Sequence, residues 1–433
     1  MQHAGTKTFC IFHIAIIRRV ENEDIAVCGK SSSAWLSIVG IGEDGWEGLS
    51  SAGKSAVSSA NVLYGSSRHL ALAPQTQALR KAWPSPMLPA IEEVIAEYGG
   101  RSNVAILASG DPLLYGVGNV FARRLRPSEF QVIPQVSAFS LACARLKWPG
   151  ADTFLVTLVN RPIEQLNRYL QPNQQLIVYS QSGESPAMIA AHLHASGYGR
   201  SALTVFEHLG GPKEKQYEGV AKAWPVRRHA DLNVVAVTCL ADPGAAAFAT
   251  VPGLPESAFQ TDGQITKREV RAATLARLMP LPGEVLWDVG AGSGSIGIEW
   301  MRVHPRNRAI AFERREDRAR NIITNANQLG VPGLDVIVGS APSLFRDVDP
   351  PDAIFIGGGI STDGMVEACW EKLRHGGRLV ANTVTISGEA TLARWQSELG
   401  GDLTRIAISR SEFIGNVLGW RAATPVTQWA VSK

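Results

Sequence analysis

Residues Val285 to Ser295 read VLWDVGAGSGS and leave the chain little freedom in how it folds there. Val285, Leu286 and Trp287 form an apolar run of the length of a buried parallel strand. Asp288 ends the run. Gly290, Gly292 and Gly294 follow, and then a helical apolar pattern through Ile296, Ile298 and Trp300. A strand, a glycine turn and a helix start let a ligand approach bare backbone at a helix N-terminus. Twenty-five residues after Asp288, at the end of the strand-like run Ala309 to Phe312, stands Glu313. A carboxylate there can accept hydrogen bonds from both hydroxyls of a ribose.

Two details favour S-adenosylmethionine over a nicotinamide dinucleotide. Counted from the strand end, a dinucleotide fingerprint needs its third glycine at position 295, which is Ser295. A shifted match from Gly292 through Gly294 to Gly297 begins too far past the strand. Asp288 would repel a pyrophosphate but suits a zwitterion carrying a sulfonium and an ammonium. The Asp-x-Gly-x-Gly-x-Gly pattern resembles the first motif of the Rossmann-like class I methyltransferases. Ala291 and Ser293 complete the loop that the resemblance places against the cofactor.

A length of 433 residues predicts two or three domains. Hydrophobic content of 45% and charged content of 19% are those of a soluble globular protein. A net charge of +3 gives no argument for nucleic acid. Cys10, Cys28, Cys143, Cys239 and Cys369 are scattered, which suggests neither a disulfide framework nor a metal site and fits a reducing cytoplasm. The apolar run Phe9 to Ile17 is too short for a bilayer, and His13 spoils it as a signal peptide. Residues 1–33 are expected to be a disordered extension, as an over-long start assignment would produce.

Two motifs near the N-terminus mislead. Gly40-Ile41-Gly42-Glu43-Asp44-Gly45 matches a dinucleotide pattern, but Glu43 and Asp44 would face the pyrophosphate. Gly48 to Ser55 matches a phosphate loop letter for letter, yet it lies well past the strand Trp35 to Val39. Leu49, Ala52, Ala56, Val57 and Ala60 instead mark a helix already under way. A better candidate follows the strand Asn103 to Ala108, where Ser109-Gly110-Asp111-Pro112 makes a sharp turn at a strand's carboxyl end. Asp111 there either serves a ligand or caps the next helix. The strand Phe130 to Ile133 and the segment Pro134-Gln135-Val136-Ser137-Ala138 come next.

The Gly40-Ile41-Gly42 opening, the Ser109 to Pro112 turn and the Pro134 to Ala138 segment resemble the tetrapyrrole methylases. So does Phe206 to Gly210, with Glu214 behind it. The resemblance spans about Trp35 to Asp242 and implies a two-lobed methyltransferase fold with cofactor contacts at Gly110, Asp111, Pro112 and Ser137. Gln135-Val136 replaces the family's usual Gly-Ile. Second-lobe strands are expected at Thr153 to Leu158, Leu176 to Tyr179, Leu203 to Phe206 and Asn233 to Cys239. Small residues and prolines from 243 to 254 mark a linker.

Beyond the linker, Thr266 and Glu269 read as a capping box for a helix with Val270, Ala273, Leu275 and Leu278 on its apolar face. The segment Asp262 to Arg271 resembles the C15-methylating, decarboxylating methyltransferases of cobalamin biosynthesis. That resemblance implies cofactor contacts at Thr266, at Ser340 and Ala341 beside the adenine, and at Gly357, where glycines clear room over the methyl group. Leu403 to Ser409 and Asn416 to Arg421 are expected as closing antiparallel strands. Lys267, Arg268, Arg271, Arg374 and Arg378 are candidate clamps for a polycarboxylate.

The expected architecture is α/β: a two-lobed tetrapyrrole methylase domain (34–242), a linker (243–254) and a Rossmann-like class I domain (255–433). The pairing resembles the bifunctional C5,15-methylating, decarboxylating enzymes of cobalamin biosynthesis. It implies two S-adenosylmethionine sites, a corrinoid substrate, a cytoplasmic homo-oligomer, and no nucleic-acid or membrane partner. Neither reaction requires a metal or a protein nucleophile, and no general acid is legible. Two other readings stay open here: a fusion acting on another small molecule, and a non-catalytic cofactor-binding scaffold.

Overall fold

The computed structural model describes residues 34–433, so the expected extension at 1–33 lies outside the described residues. Contacts divide the chain into two units, one of residues 34–40 and 49–134, the other of residues 41–48 and 135–433. In the first, β1 (Leu36–Ile41), β2 (Val62–Gly65), β3 (Leu79–Ala82), β4 (Val104–Ser109) and β5 (Phe130–Ile133) form a sheet in the order β3-β2-β4-β1-β5. β1 runs parallel to β5, and β2 runs parallel to both β3 and β4. Val104 to Ala108 are all buried, as a central parallel strand requires.

The helix expected to be under way across the phosphate-loop look-alike is in fact two helices, Gly45–Gly48 and Ser51–Ser58. Ser50 breaks the run because its Oγ accepts the Gly53 N–H at 3.2 Å and starts a fresh helix. Lys54 therefore lies inside a helix whose free donor is already capped by serine.

In the second unit, β6 (Thr153–Thr157), β7 (Gln175–Tyr179), β8 (Ala202–Glu207), β9 (Lys215–Val220) and β10 (Asn233–Thr238) form a sheet ordered β6-β7-β10-β8-β9. The four expected strands are present, and the polar edge strand β9 is additional. A seven-stranded sheet follows, built from β11 (Val285–Val289), β12 (Arg308–Glu313), β13 (Asp335–Val338), β14 (Ala353–Ile356), β15 (Arg378–Thr383), β16 (Asp402–Ile406) and a last strand. Between β16 and that strand lie β17 (Ser409–Ile414) and β18 (Val417–Ala422), and β19 (Val426–Ser432) completes the sheet in the order β13-β12-β11-β14-β15-β19-β16.

Here the expectation for the C-terminal strands needs correcting. β16 does close the sheet, but Asn416 to Arg421 falls in a separate hairpin of β17 and β18, turned by Gly415 at φ +64°. The closing partner of β15 is β19, antiparallel to it and to β16, with Trp429 wholly buried. Period-two alternation marks both segments as strands without saying which sheet each joins.

β11 explains the core of this sheet. Leu286 packs on one face with Leu275, Ile298, Trp300 and Ile322, while Val285, Trp287 and Val289 pack on the other. Trp287, Phe312 and Phe345 meet there with ring centroids 4.8–5.2 Å apart. Each such large apolar side chain contributes about 1.5–3 kcal/mol by leaving water.

The second lobe also grips the class I domain. Arg168 Nη2 donates to the Arg302 carbonyl at 2.8 Å, and Asn167 Nδ2 donates to the Asn327 carbonyl at 3.1 Å. These carbonyls belong to the last turns of helices Ser295–Val303 and Glu316–Gln328, where backbone acceptors lack intrahelical partners. Gly330 makes the approach possible, since a Cβ there would run into the Arg168 backbone. Arg302 Nη2 holds the Phe248 and Ala249 carbonyls at 2.9 and 3.2 Å, so the second half of the expected linker packs against the class I domain.

Candidate functional site

Parallel pairing sets Asp288 beside Ala311 on β12 and Phe355 on β14, so the glycine loop leaves the carboxyl edge at the sheet's centre. Gly290, Gly292 and Gly294 have φ of +71°, +59° and +74°. At Gly290 the requirement is also steric, because a Cβ would lie 2.8 Å from the Gly358 nitrogen. The glycines after β14 thus lie against those after β11.

Glu313 is buried and organised by the loop. Its Oε2 accepts the Gly292 N–H at 2.9 Å and its Oε1 accepts the Arg315 N–H at 3.0 Å. Each oxygen keeps a further lone pair for a ribose hydroxyl. The Gly339 N–H donates to the Glu313 backbone carbonyl at 3.0 Å, which ties the start of the Ser340-Ala341 segment to the end of β12. Asp288 is 1% exposed; its Oδ2 accepts the Gly297 N–H at 3.0 Å, and its Oδ1 is buried without a partner. Burial pushes this carboxyl up to about 7, and nearby Glu313 adds to the effect. The orphaned oxygen and the spare Glu313 lone pairs fit a ligand with a ribose and a cationic centre.

A cavity of about 740 Å³ opens on the loop, with Thr266, Gly290, Ala291, Gly292, Ser293 and Gly357 on its wall. Asp288, Glu313, Ser340 and Ala341 do not line it. Asn382 and Thr383, at the carboxyl end of β15, do, although sequence reasoning missed them. Asn382 is held by Thr274 Oγ1 at 2.9 Å and by Gln428 Nε2 at 2.9 Å, partners more than forty residues away that no local pattern announces.

The capping box at Thr266 does not form. The helix is Arg268–Leu278, with Lys267 at its N-cap and no side-chain cap. Glu256 Oε1 accepts the Arg268 N–H at 3.3 Å, Glu269 turns outward to Arg410, and the Thr266 carbonyl accepts from Arg271. The buried face is Val270, Arg271, Thr274, Leu275 and Leu278, without Ala273.

Three of the expected clamps are structural. Arg271 pairs with Glu299 at 2.7 Å in the interior, Arg374 with Asp352 at 2.8 Å, and Arg378 with Glu284 at 2.5 Å. Lys267 lines the cavity and Arg268 does not; Arg318, Arg410 and Arg421 supply the remaining positive charge on its wall.

In the first unit, Gly110 at φ +53° turns the chain after β4. Asp111 caps no helix: its Oδ1 accepts the Leu113 N–H at 2.8 Å, and the next helix, Gly118–Ala122, has Val117 at its N-cap. In the second unit, Ser137 caps helix Ala138–Leu146 by accepting the Ser140 N–H at 3.1 Å. Glu214 there accepts from the Gly210 N–H and from Arg145, which is a structural role.

Residues 36–224 match the family described as Tetrapyrrole (Corrin/Porphyrin) Methylases, and residues 257–433 match the Precorrin methyltransferase domain. Fold and site together define a chain of two methyltransferase domains. A Sinorhizobium protein named precorrin-6Y C(5,15)-methyltransferase (decarboxylating) is 45% identical over 402 residues, 93% of this chain and 97% of its own length. Over 182 residues the chain is 31% identical to a Pyrobaculum calidifontis protein named "Probable cobalt-precorrin-6B C(15)-methyltransferase (decarboxylating)", covering 40% of this chain and 93% of that one. The crystal structure of the C-terminal domain of precorrin-6Y C5,15-methyltransferase from Rhodobacter capsulatus is 44% identical, covers 43% of this chain and 100% of that chain, and has a TM-score of 0.41. The chain belongs to the precorrin-6Y C(5,15)-methyltransferase (decarboxylating) family. Methyltransferases of this family use S-adenosylmethionine.

Proposed function

We propose that this chain methylates precorrin-6Y at C5 and C15 and removes carbon dioxide from its C12 acetate, with one S-adenosylmethionine site in each half. Residues 34–242 act at C5, and residues 255–433 act at C15 and decarboxylate. The observation that carries the reading is the union of both families in one chain, matched almost end to end by a relative whose name states both positions. S-adenosylmethionine supplies an electrophilic methyl group when bound. Glu313 is the ribose acceptor, and Gly290 to Gly294 and Gly357 let the ligand approach backbone. Thr266, Ser340 and Ala341 flank it, and Gly110, Asp111, Pro112 and Ser137 are the contacts in the other half. The walls align donor and acceptor and keep water out, which is most of what transfer from a sulfonium needs.

Among the described residues no helix is long and apolar enough to cross a membrane; the proposed place of the enzyme is the cytoplasm. The hairpin of β17 and β18 leaves Phe413, Ile414, Val417, Leu418 and Trp420 more than half exposed, a surface that supports self-association.

Mass spectrometry of the corrinoid tests the reading: the intact chain should add two methyls and remove one carboxyl. A chain of residues 245–433 should add one methyl with release of carbon dioxide, and one of residues 33–242 should add one methyl and release none. If the first fragment folds cooperatively and does neither, this division of labour is wrong.

Glu313→Ala is expected to weaken cofactor binding in the C-terminal half by ~1.5–3 kcal/mol, the scale of hydrogen bonds to a charged acceptor. Titration calorimetry measures it, and an unchanged dissociation constant would remove Glu313 from the ribose.

A further inference from the structure

β2 and β4 are parallel neighbours, with Tyr64 opposite Ile106, so their carboxyl ends share one edge of the first sheet. After β2, Ser66 Oγ accepts the His69 N–H at 3.2 Å and starts the helix Ser67–Leu72. This fixes His69 in the first turn, where it is buried. Gly65 leaves it space, because a Cβ there would meet the His69 and Leu107 Cβ atoms at 3.2 and 3.3 Å. β4 ends at the exposed Ser109, one residue before the Gly110-Asp111-Pro112 turn.

The two side chains meet. Ser109 Oγ lies 2.9 Å from His69 Nε2, and Arg68 Nη2 lies 2.8 Å from each of these atoms. A guanidinium only donates, so both atoms accept from Arg68. With Nε2 an acceptor, the imidazole proton sits on Nδ1. The single Nε2 lone pair is shared between Arg68 and the Ser109 hydroxyl proton, which becomes its one donor when Arg68 turns wholly to Ser109 Oγ. The serine oxygen therefore directs its own proton inward and turns its remaining lone-pair density outward, beside a cation that stabilises negative charge on it. The turn does not need this arrangement to close, since the Asp111 carboxylate already accepts the Leu113 N–H.

We propose that Ser109 is the proton acceptor for methylation in the N-terminal half, with His69 as the positioning residue that takes up the proton. The proposal rests on the reading that this half methylates C5, a bridge carbon that carries hydrogen. The macrocycle's π electrons form the new C–C bond while the S–CH₃ bond breaks with its pair going to sulfur. C5 then bears both hydrogen and methyl, and the macrocycle carries a positive charge. Ser109 Oγ removes the C5 proton as its own proton moves to His69 Nε2. The C–H electron pair returns to the ring and neutralises it. The imidazolium discharges to solvent through the exposed serine.

The test uses the full chain and a corrinoid deuterated at C5, comparing wild type with Ser109→Ala, His69→Gln and Ser109→Thr. Methyl count, deuterium retention and carbon dioxide release are read by mass spectrometry, and S-adenosylmethionine and corrinoid binding by calorimetry. Ser109→Ala and His69→Gln should lower kcat for C5 methylation by about 100-fold or more, the scale of general base catalysis. KM should stay within about threefold, and the deuterium isotope effect should exceed that of wild type. Ser109→Thr, which keeps the hydroxyl, should restore most of the rate. Methylation at C15 and carbon dioxide release should not change, and binding of S-adenosylmethionine and corrinoid by the N-terminal half should persist, which shows that this half of the variants folds. Unchanged C5 turnover, or a loss confined to KM or cofactor affinity, would overturn the proposal and leave the C5 reading standing. A wild-type chain that adds no methyl at C5 would sink that reading first, and the proposal with it.

Discussion

Glu299→Ala is expected to destabilise the C-terminal half by about 3–5 kcal/mol, the cost of stranding a buried charge. Glu299 lies inside helix Ser295–Val303 at 2% exposure, and Arg271, from the preceding helix, is wholly buried. Glu299 Oε1 accepts from Arg271 Nε at 2.7 Å and from the Leu254 N–H at 3.0 Å, and Oε2 accepts from the Gly253 N–H at 2.6 Å. The other Arg271 nitrogens donate to the Leu254 and Thr266 carbonyls. Alanine would leave the guanidinium without its counter-charge, and its Nε–H and two backbone N–H groups without acceptors in the interior. Pairing the change with Arg271→Met should recover part of the loss, because an apolar pair removes the stranded charge. Denaturant unfolding gives the number; a loss under about 1 kcal/mol would mean water reaches the site and the pair is not truly buried.

The ligand-free chain should also lose up to about 4 kcal/mol of stability between roughly pH 4 and pH 7 on account of Asp288 alone. Burial raises this carboxyl from 3.8 to about 7, so the folded state binds the proton more tightly than the unfolded state does. The contribution is fully present below the unfolded value and is lost as pH rises through the folded one. At about 1.4 kcal/mol per unit, that interval sets the size of the loss. Asp288→Asn should remove this part of the pH dependence while keeping an acceptor for the Gly297 N–H. A cationic ligand held near the loop should drive the wild-type carboxyl to ionise. Calorimetry near pH 6 in buffers of different ionisation enthalpy should then detect a proton released on binding S-adenosylmethionine, and no release would detach Asp288 from the ligand.

The glycine loop and Glu313 were legible because parallel strands buried on both faces read as unbroken apolar runs, and because φ above zero leaves glycine in plain view. Arg271 was not. A charge is expected at the surface, and nothing local reveals that Glu299, on the next helix, will meet it in the core. Thr266 and Glu269 satisfy the capping pattern, but Glu256, from outside the helix, fills the vacant N-terminal donor and Arg410 draws Glu269 away. β3 and β9 escaped notice as short edge strands with exposed polar residues, which resemble turns. At Asp111 the helix-cap alternative gives way to an Asx turn, since the two begin with the same side chain.

The grip of the second lobe on the class I domain is made largely on main chain. Arg168 and Asn167 read the carbonyls at two helix ends, and any sequence that keeps those helices presents the same acceptors. The side chains on the outer faces of helices Ser295–Val303 and Glu316–Gln328 can therefore drift without loosening the joint. The constraint concentrates at Gly330, where even a methyl group would strike the Arg168 backbone. Among related chains, permissive surfaces around an invariant glycine would be the mark of this joint, and a bulky residue at that position would identify chains whose halves are free of each other.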